Sequence, residues 1–576
     1  MGVVMSITKS RRQFLESAGF GTAALMGSSW LTAARAAAEN PAPDLVVINA
    51  KVTTMDRAVP AAEAFAVRAG RFLAVGSTAD IKALAGPKTR TYDAKGMMVV
   101  PGFNDTHNHG GGDILLYEVL VGNPYVVEFV TIQSIIDKLK ERAARTPPGT
   151  WVTGYYYDDT KVKDNRPLNN KDLDKVSTVH PVVVIHRGGH TSFYNSKAME
   201  MAGLTKNTPV HFGGTFDKDT HGELNGRVTD NARDIFNGVG KQVVYSPAEQ
   251  ERRLVSGVEF ISKKFVEYGL TSVCHDENVL SAMQVARQRG TLLHRVSYEP
   301  DQPLVEAMIK NGIKTDFGDE WIKLGATAEH VVDGSFSERT AAMSRPYLGI
   351  SPSYKGNVTE TQKDTNAWAE RTHRAGIRLN CHANGDVAID QVMTAYELAL
   401  KAYPVANSRP KITHCTFIND GLIRRMKAVD LVPSLFSSYA YYNSDKFHFY
   451  GEDYMKNAMA YRSFEDAGLH ASTGSDFGTP GPFAPLMSMQ GMVTRKGFNG
   501  EIWGANQKLT VDQAIKASSA NGAYNTREEN IKGSITAGKL ADYVVLADDL
   551  HKIDPEKIKD VKIAQTVVGG ITRYQA

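Results

Sequence analysis

Two histidines, His107 and His109, close the run Val99-Val100-Pro101-Gly102-Phe103-Asn104-Asp105-Thr106. Residues two apart on a strand point to one face. The pair can therefore aim two imidazoles at one point, which is what a metal ion needs. A His-x-His also occurs in ordinary strands and loops, so it gains meaning only in company. Residues of the same chemical kind close further apolar runs: Glu329 with Asp333 soon after it, then His382, His414 and Asp476. Imidazoles and carboxylates are the donors that Zn²⁺ takes. They are costly to bury without a partner.

The elements that must position them are short β-rich runs separated by helical patterns. Candidate strands cover 97–100 leading to His109, 271–276, 294–299, 322–332, 377–383, 411–415, 431–435 and 469–476. Helix-like segments at 255–268, 279–289, 359–375, 388–403 and 421–428 lie between them. Alternating β and α segments predict a parallel sheet of the α/β class, and eight such units predict a closed (β/α)₈ TIM barrel. In that barrel the C-terminal strand ends meet at one mouth, so the histidines and carboxylates would converge there.

Two regions fall outside this pattern. β-rich runs at 44–99 are matched by runs at 530–576, including Ala541-Asp542-Tyr543-Val544-Val545-Leu546. Neither set has enough strands for a core of its own, so together they predict a composite β-sandwich built from both chain ends. The barrel then spans 100–529. The interval from about 110 to 267 is too long for one crossover and predicts an inserted subdomain over the barrel mouth.

Composition bounds the rest. The chain has 576 residues, 42% apolar and 22% charged, with a net charge of +3. That balance gives no reason to expect nucleic acid or a basic membrane-binding patch. The three cysteines, Cys274, Cys381 and Cys415, form no disulfide framework. At the N-terminus, Ser10-Arg11-Arg12-Gln13-Phe14-Leu15 precedes a weakly apolar stretch and Ala34-Arg35-Ala36-Ala37-Ala38. This order resembles a twin-arginine (Tat) signal peptide over 1–38 and predicts a periplasmic or secreted protein with no membrane segment in its mature form.

The motifs themselves carry a resemblance. Pro101-Gly102-Phe103-Asn104-Asp105-Thr106-His107-Asn108-His109 resembles the first-strand motif of the amidohydrolase superfamily. His382-Ala383-Asn384-Gly385-Asp386-Val387-Ala388-Ile389-Asp390 resembles the fifth-strand motif of its amidohydrolase 3 branch, which includes N-substituted formamide deformylase. Ile412-Thr413-His414-Cys415, Gly474-Ser475-Asp476 and the stretch from Gly533 to Asp542 follow in the same order, as do Gly189-His190 and Asp333-Gly334-Ser335. The resemblance implies that His107, His109, His382, His414 and Asp476 bind one or two divalent ions, Zn²⁺ above all. Where many relatives carry a carboxylated lysine that bridges two metals, this chain has Glu329, a carboxylate without CO₂ chemistry. Relatives of this branch often pair, which implies a homodimer, although no interface signal stands in the sequence.

The implied activity is hydrolysis of a non-peptide C–N bond in a small-molecule amide by metal-activated water. Asp476 would act as general base and then acid. A second metal or His190 would polarise the carbonyl, and Arg339 could either grip a substrate carboxylate or form a structural salt bridge. Lactone or cyclic imide hydrolysis needs the same groups. A deaminase fits less well, because no His-x-x-Glu follows the sixth strand. An exported binding or regulatory protein on the same scaffold is the non-catalytic alternative. Cys381 and Cys415 should point away from the mouth into the strand–helix layer, and His275-Asp276 reads as structural. Tyr155, Tyr156 and Tyr157, with Tyr439, Tyr441 and Tyr442, suit either an apolar pocket for an aryl or bulky substituent or the core or a subunit interface.

Overall fold

The computed structural model describes residues 42–276, 278–436, 438–478 and 483–576. The leader read at 1–38 lies outside the described residues. Among these, no helix is long and apolar enough to cross a membrane.

Eight strands carry the candidate site: β1 (Phe103–Asn108), β2 (Leu270–His275), β3 (Arg295–Tyr298), β4 (Ile322–Leu324), β5 (Asn380–Ala383), β6 (Lys411–His414), β7 (Val432–Leu435) and β8 (Ser472–Thr473). Every residue of β2, β5, β6 and β7 is buried, as expected for parallel strands enclosed on both faces. The ladders run as two parallel arcs rather than round one closed sheet. β1 to β4 form the first arc, and β5 to β8 with His330–Val331 form the second. After Leu324 the chain leaves the first arc and rejoins the second at His330, opposite Cys381. At the other seam, loop amides and a hydroxyl replace the ladder. Thr106 Oγ1 donates to the Thr473 carbonyl at 2.9 Å, and the Asp476 amide donates to the His107 carbonyl at 3.0 Å.

Helices follow the strands and bury one stripe each. In Asp386–Ala402 the stripe includes Ile389, Val392, Met393, Tyr396 and Ala399, the spacing of an amphipathic helix. The helix Pro247–Glu267 starts on a Ser246 cap with proline in its first turn, and buries Val255, Val258, Ile261 and Phe265. Ile261 and Phe265 join the main core beside Leu270 and Val273 of β2. This helix therefore belongs to the strand–helix layer, and the insertion ends before it rather than at 267. The insertion's own sheet has six strands between Val119 and Asp230.

The run at 97–100 also departs from expectation. Met98–Pro101 pairs with Lys51–Thr53 on one side and Tyr543–Leu546 on the other, so it joins a sheet made from both chain ends. A second sheet, containing Leu45–Ile48 and Ala64–Arg68, packs on it through Phe65, whose ring lies 4.9 Å from Tyr543 and 5.2 Å from Phe72. Gly102 is the crossing point into β1. A Cβ there would lie 2.1 Å from Thr271 Oγ1 and 2.5 Å from Thr271 Cγ2, so only glycine allows β1 to press against the start of β2. Gly102→Ala is expected to destabilise the protein by about 1–3 kcal/mol, the usual cost of overpacking. An unchanged thermal and denaturant unfolding midpoint would contradict this account.

Candidate metal centre and its cavity

The ends of β1, β5 and β6 and the loops after β4 and β8 bring six side chains together. His107 and His109 share a face of β1, and their Nε2 atoms stand 3.0 Å apart. Glu329 lies in the centre. Its Oε2 is 3.5 Å from His107 Nε2, 3.3 Å from His382 Nδ1 and 3.6 Å from His414 Nε2, and its Oε1 is 3.5 Å from His109 Nε2. Asp476 Oδ1 closes the group at 3.0 Å from His109 Nε2 and 3.4 Å from His107 Nε2. The backbone is bent to achieve this: His414 and Asp476 both have positive φ, 69° and 56°. Non-glycine residues held this way are strained and gather at functional sites.

The donor set fits a divalent cation. Two overlapping groups, His107–His109–Asp276–Glu329 and Glu329–His382–His414, each offer atoms within 4.8 Å of one another and share Glu329. Glu329 Oε2 and His382 Nδ1 are buried without a hydrogen bond, although they face each other. The outward nitrogens of three of the four histidines are tied down, whereas His414 Nδ1 is buried without a hydrogen bond. His107 Nδ1 meets Glu299 Oε2 at 3.4 Å, His109 Nδ1 meets Asp276 Oδ1 at 2.6 Å, and His382 Nε2 meets the Gly334 carbonyl at 3.2 Å. Such partners set which nitrogen carries the proton and leave the other one facing inward.

Electrostatics bind the group to its support. Burial alone would push the Glu329 carboxyl up, but His107 and His382 outweigh it and hold it well below the usual carboxylate range. Burial is likewise outweighed at Asp476, which hydrogen bonds with His107 and His109 keep ionised. His414 goes the other way: burial, then repulsion from His382, lowers it well below an ordinary histidine. Beneath His107 lies a fully buried pair, with Lys411 Nζ 2.5 Å from Glu299 Oε1 and 2.6 Å from the Thr106 carbonyl. Asp105 fastens β1 to the loop after β8 by accepting from the amides of His107 and Ser475 at 3.2 and 2.9 Å. Asp333 does the same for β5, accepting from the amides of Ala342, Asn384 and Gly385, and burial pushes its carboxyl up to about 6.

The group opens into a cavity of about 700 Å³ whose far wall is the inserted sheet. Thr153 and Tyr155, Val183 and Ile185, and Ser192 and Tyr194 line it from three adjacent strands. Each pair is two residues apart, so one face of the sheet makes the wall. The opposite face, including Val152, Val182 and Val184, packs against Ile135 and Leu139 in the insertion's own core.

His190 lines the cavity beside the metal-ligand candidates. Its ring lies 4.7 Å from that of His382, and its Nδ1 is 2.9 Å from Asp230 Oδ1. Asn357 Nδ2 donates to the other Asp230 oxygen at 2.6 Å. The expectation for Arg339 needs correction. Its guanidinium is committed to both oxygens of Asp159 and to the Ser337 carbonyl, and it does not line the cavity. A buried bidentate carboxylate satisfies it, so it cannot also grip a substrate. Arg233 is the arginine on the cavity wall.

Sequence reasoning missed several partners. Asp276 reads as structural in the sequence but holds His109, whereas its neighbour His275 is structural, its Nε2 donating to the Gly110 carbonyl at 2.9 Å, with burial pushing it down to about 4. Glu299 follows Tyr298, the last residue of β3, so the same strand-end signal could have found it. Lys411 and Asp230 carry no such signal. Cys381 and Cys415 are packed in the main core, and burial raises both thiols. Of the tyrosines, Tyr155 lines the cavity, and Tyr439 Oη reaches Asp476 Oδ2 at 3.5 Å. Tyr157 instead donates no cavity surface and accepts from the Leu168 amide inside the insertion. A third acid–histidine group, Asp158–Asp159–His186, is already countered by Lys161, Lys446 and Arg339.

Known proteins resemble this chain over most of its length. The profile of the Amidohydrolase family matches residues 90–574. The N-substituted formamide deformylase of Arthrobacter pascens is 25% identical over 557 residues, covering 92% of this chain and 98% of that protein. The protein LONG AFTER FAR-RED 3 of Arabidopsis thaliana is 25% identical over 555 residues, covering 92% and 91%. Among solved structures, an uncharacterized metal-dependent hydrolase from Pyrococcus horikoshii OT3 superposes with a TM-score of 0.66 at 19% identity, covering 89% of this chain and 99% of that one.

Glu299→Gln is expected to lower divalent-metal affinity about 10–100-fold, because His107 loses the partner that orients it. It also leaves Lys411 buried and unpaired, at about 3–5 kcal/mol of stability. The double variant Glu299→Gln/Lys411→Met should recover stability without recovering affinity. Competition with a chelator reads the affinity, and undiminished binding in either variant would refute the role given to Glu299.

Proposed function

Since the chain belongs to the Amidohydrolase family, we propose that it is a metal-dependent hydrolase of a non-peptide C–N bond, in an N-substituted amide. The support is the group itself: one carboxylate, Glu329, stands within 3.3–3.6 Å of four imidazoles at the mouth of the strands, with Asp476 alongside. In this reading the two arcs act as one (β/α)₈ barrel over 100–529. A composite β-sandwich, 44–99 with 530–576, flanks it, and the leader at 1–38 directs the protein out of the cytoplasm by the Tat route.

His107, His109, His382, His414 and Glu329 would hold one or two divalent ions, with Zn²⁺ the best match to their donors. Such an ion lowers the pKa of water toward about 7 and polarises a carbonyl. The chain's own residues do the rest. Asp476 is ionised and buried, so it takes the proton from attacking water and delivers it to the departing nitrogen. Glu329 neutralises the histidines around it and would supply a carboxylate for two ions to share. His190, held by Asp230, stabilises the oxyanion that forms from the carbonyl. The inserted sheet covers the mouth and keeps bulk water from the reacting carbon.

Chelation should abolish hydrolysis of a panel of aryl and alkyl amides, and added Zn²⁺ should restore it. His107→Ala should be inactive, and Asp476→Asn should lose about 10²–10⁴-fold in kcat, the usual worth of a positioned base. Full turnover by metal-stripped protein would refute the proposal. So would cleavage of lactones or cyclic imides with every amide left intact. Elemental analysis tests Glu329 separately: two metal equivalents per chain, falling to one or none in Glu329→Ala, are expected of a bridge. An unchanged count would make Glu329 a supporting residue only.

A further inference from the structure

The cavity wall combines an apolar surface with a single strong cation. Trp151, Tyr155, Ile185 and Phe236 supply the apolar part. Among the described residues lining the cavity, Arg233 is the one lysine or arginine. It belongs to the 3₁₀ turn Asn231–Phe236, directly after Asp230, the residue that holds His190. Arg233 Nε donates to the Asp230 carbonyl at 3.3 Å, which anchors the base of the guanidinium, and the residue lines the cavity. No ion pair within the described residues engages it. That sets it apart from Arg339, Arg227 and Lys161 nearby, each of which is paired with an aspartate.

The neighbouring acids form no close ion pair with it, although its charge helps hold the Glu338 carboxyl down. Asp230 is taken by His190 and Asn357, and Glu338 by His186 at 2.7 Å and by Thr191 at 3.2 Å. Asp234 is exposed and accepts from Asn237 Nδ2 at 3.2 Å. A guanidinium presents a planar fork of donors that matches a carboxylate in a bidentate way. Placed on an aromatic and aliphatic wall, it selects a ligand with an apolar body and an anionic end.

We infer that Arg233 determines specificity, and that the substrate is an amide with an apolar, aryl-sized group bearing a carboxylate that the Arg233 guanidinium grips. This rests on the amide-hydrolase reading above and adds the substrate class to it. The anionic end anchors on the insertion while the scissile carbonyl lies at Glu329 and Asp476, so binding energy gained at Arg233 orients the reacting bond.

The test uses the full, metal-loaded chain and two probes of one shape, formanilide and 4-formamidobenzoate. Wild type should favour the carboxylate probe in kcat/KM by about tenfold or more, the usual worth of a charge-assisted contact. Arg233→Met should erase that preference, chiefly through KM, and Arg233→Lys should restore part of it. A merely structural role would depress both probes together and leave their ratio intact. Equal kcat/KM in wild type, or a preference that survives in Arg233→Met, would overturn the assignment while amide hydrolysis stands. If neither probe is cleaved, the hydrolytic reading fails for this class, and calorimetric binding of 4-formamidobenzoate decides the anchor. Binding about tenfold weaker in Arg233→Met supports it, and equal or absent binding refutes it.

Discussion

A carboxylate buried among four imidazoles is the constraint on which the rest of this structure depends. Glu329 and Asp476 are both nearly withdrawn from solvent, and neither would stay ionised there alone. Removing such charges from water costs several kcal/mol each unless partners or a cation compensate. The histidines supply part of that compensation, and in the proposed function a divalent ion would complete it. The surroundings then have to keep all six donors aimed inward. Asp105 and Asp333 do so through backbone amides, Asp276 and Glu299 through ring nitrogens, and Lys411 neutralises Glu299 from below. These contacts are buried and multiply bonded, so they count for much more than the exposed ion pairs on the surface helices.

The inserted sheet solves a second problem with the period of a β-strand. A roof over a reactive site must be rigid on one side and selective on the other. Alternation gives each strand two faces, so Val152, Val182 and Val184 build a core with the helix Ile132–Ala143, while Thr153, Tyr155 and Ile185 face the cavity. The turn that follows the sheet then adds polar groups one after another: Asp230 for His190, and Arg233 for the cavity. A saturated ion network ties the roof to the loop after β7. Asp158 meets both Lys161 and Lys446, and Lys161 also meets Asp445. With every charge in it countered, the network positions the roof and leaves chemistry to the other end of the cavity.

Five of the six gathered side chains were legible because each stands at or just beyond a strand end, where polar residues are conspicuous against apolar runs; Glu329 lies between β4 and His330–Val331 and was marked by the family resemblance. Strand alternation also placed Cys381 and Cys415 in the core. Three of the expectations that failed show the physical reason clearly. The run at 97–100 has strand composition but no label for its sheet, and Gly102, which redirects the chain, acts through a contact with Thr271 far away in sequence. The insertion's end was set too late because Pro247–Glu267 is amphipathic, and amphipathicity does not say which core a helix faces. Arg339 was read as a substrate anchor because its partner, Asp159, lies in the insertion and is paired with it only by folding.

By itself, then, the sequence determined the element types, their alternation and the chemical identity of the donor set, because these depend on local pattern and residue type. The tertiary structure alone decided which donors share Glu329, which arginine faces the cavity and which is spent on an aspartate, and which acids orient the histidines. These are matters of distance between residues remote along the chain. Backbone periodicity carries no information about such distances until β1 meets the loop after β8 and the insertion settles over the mouth.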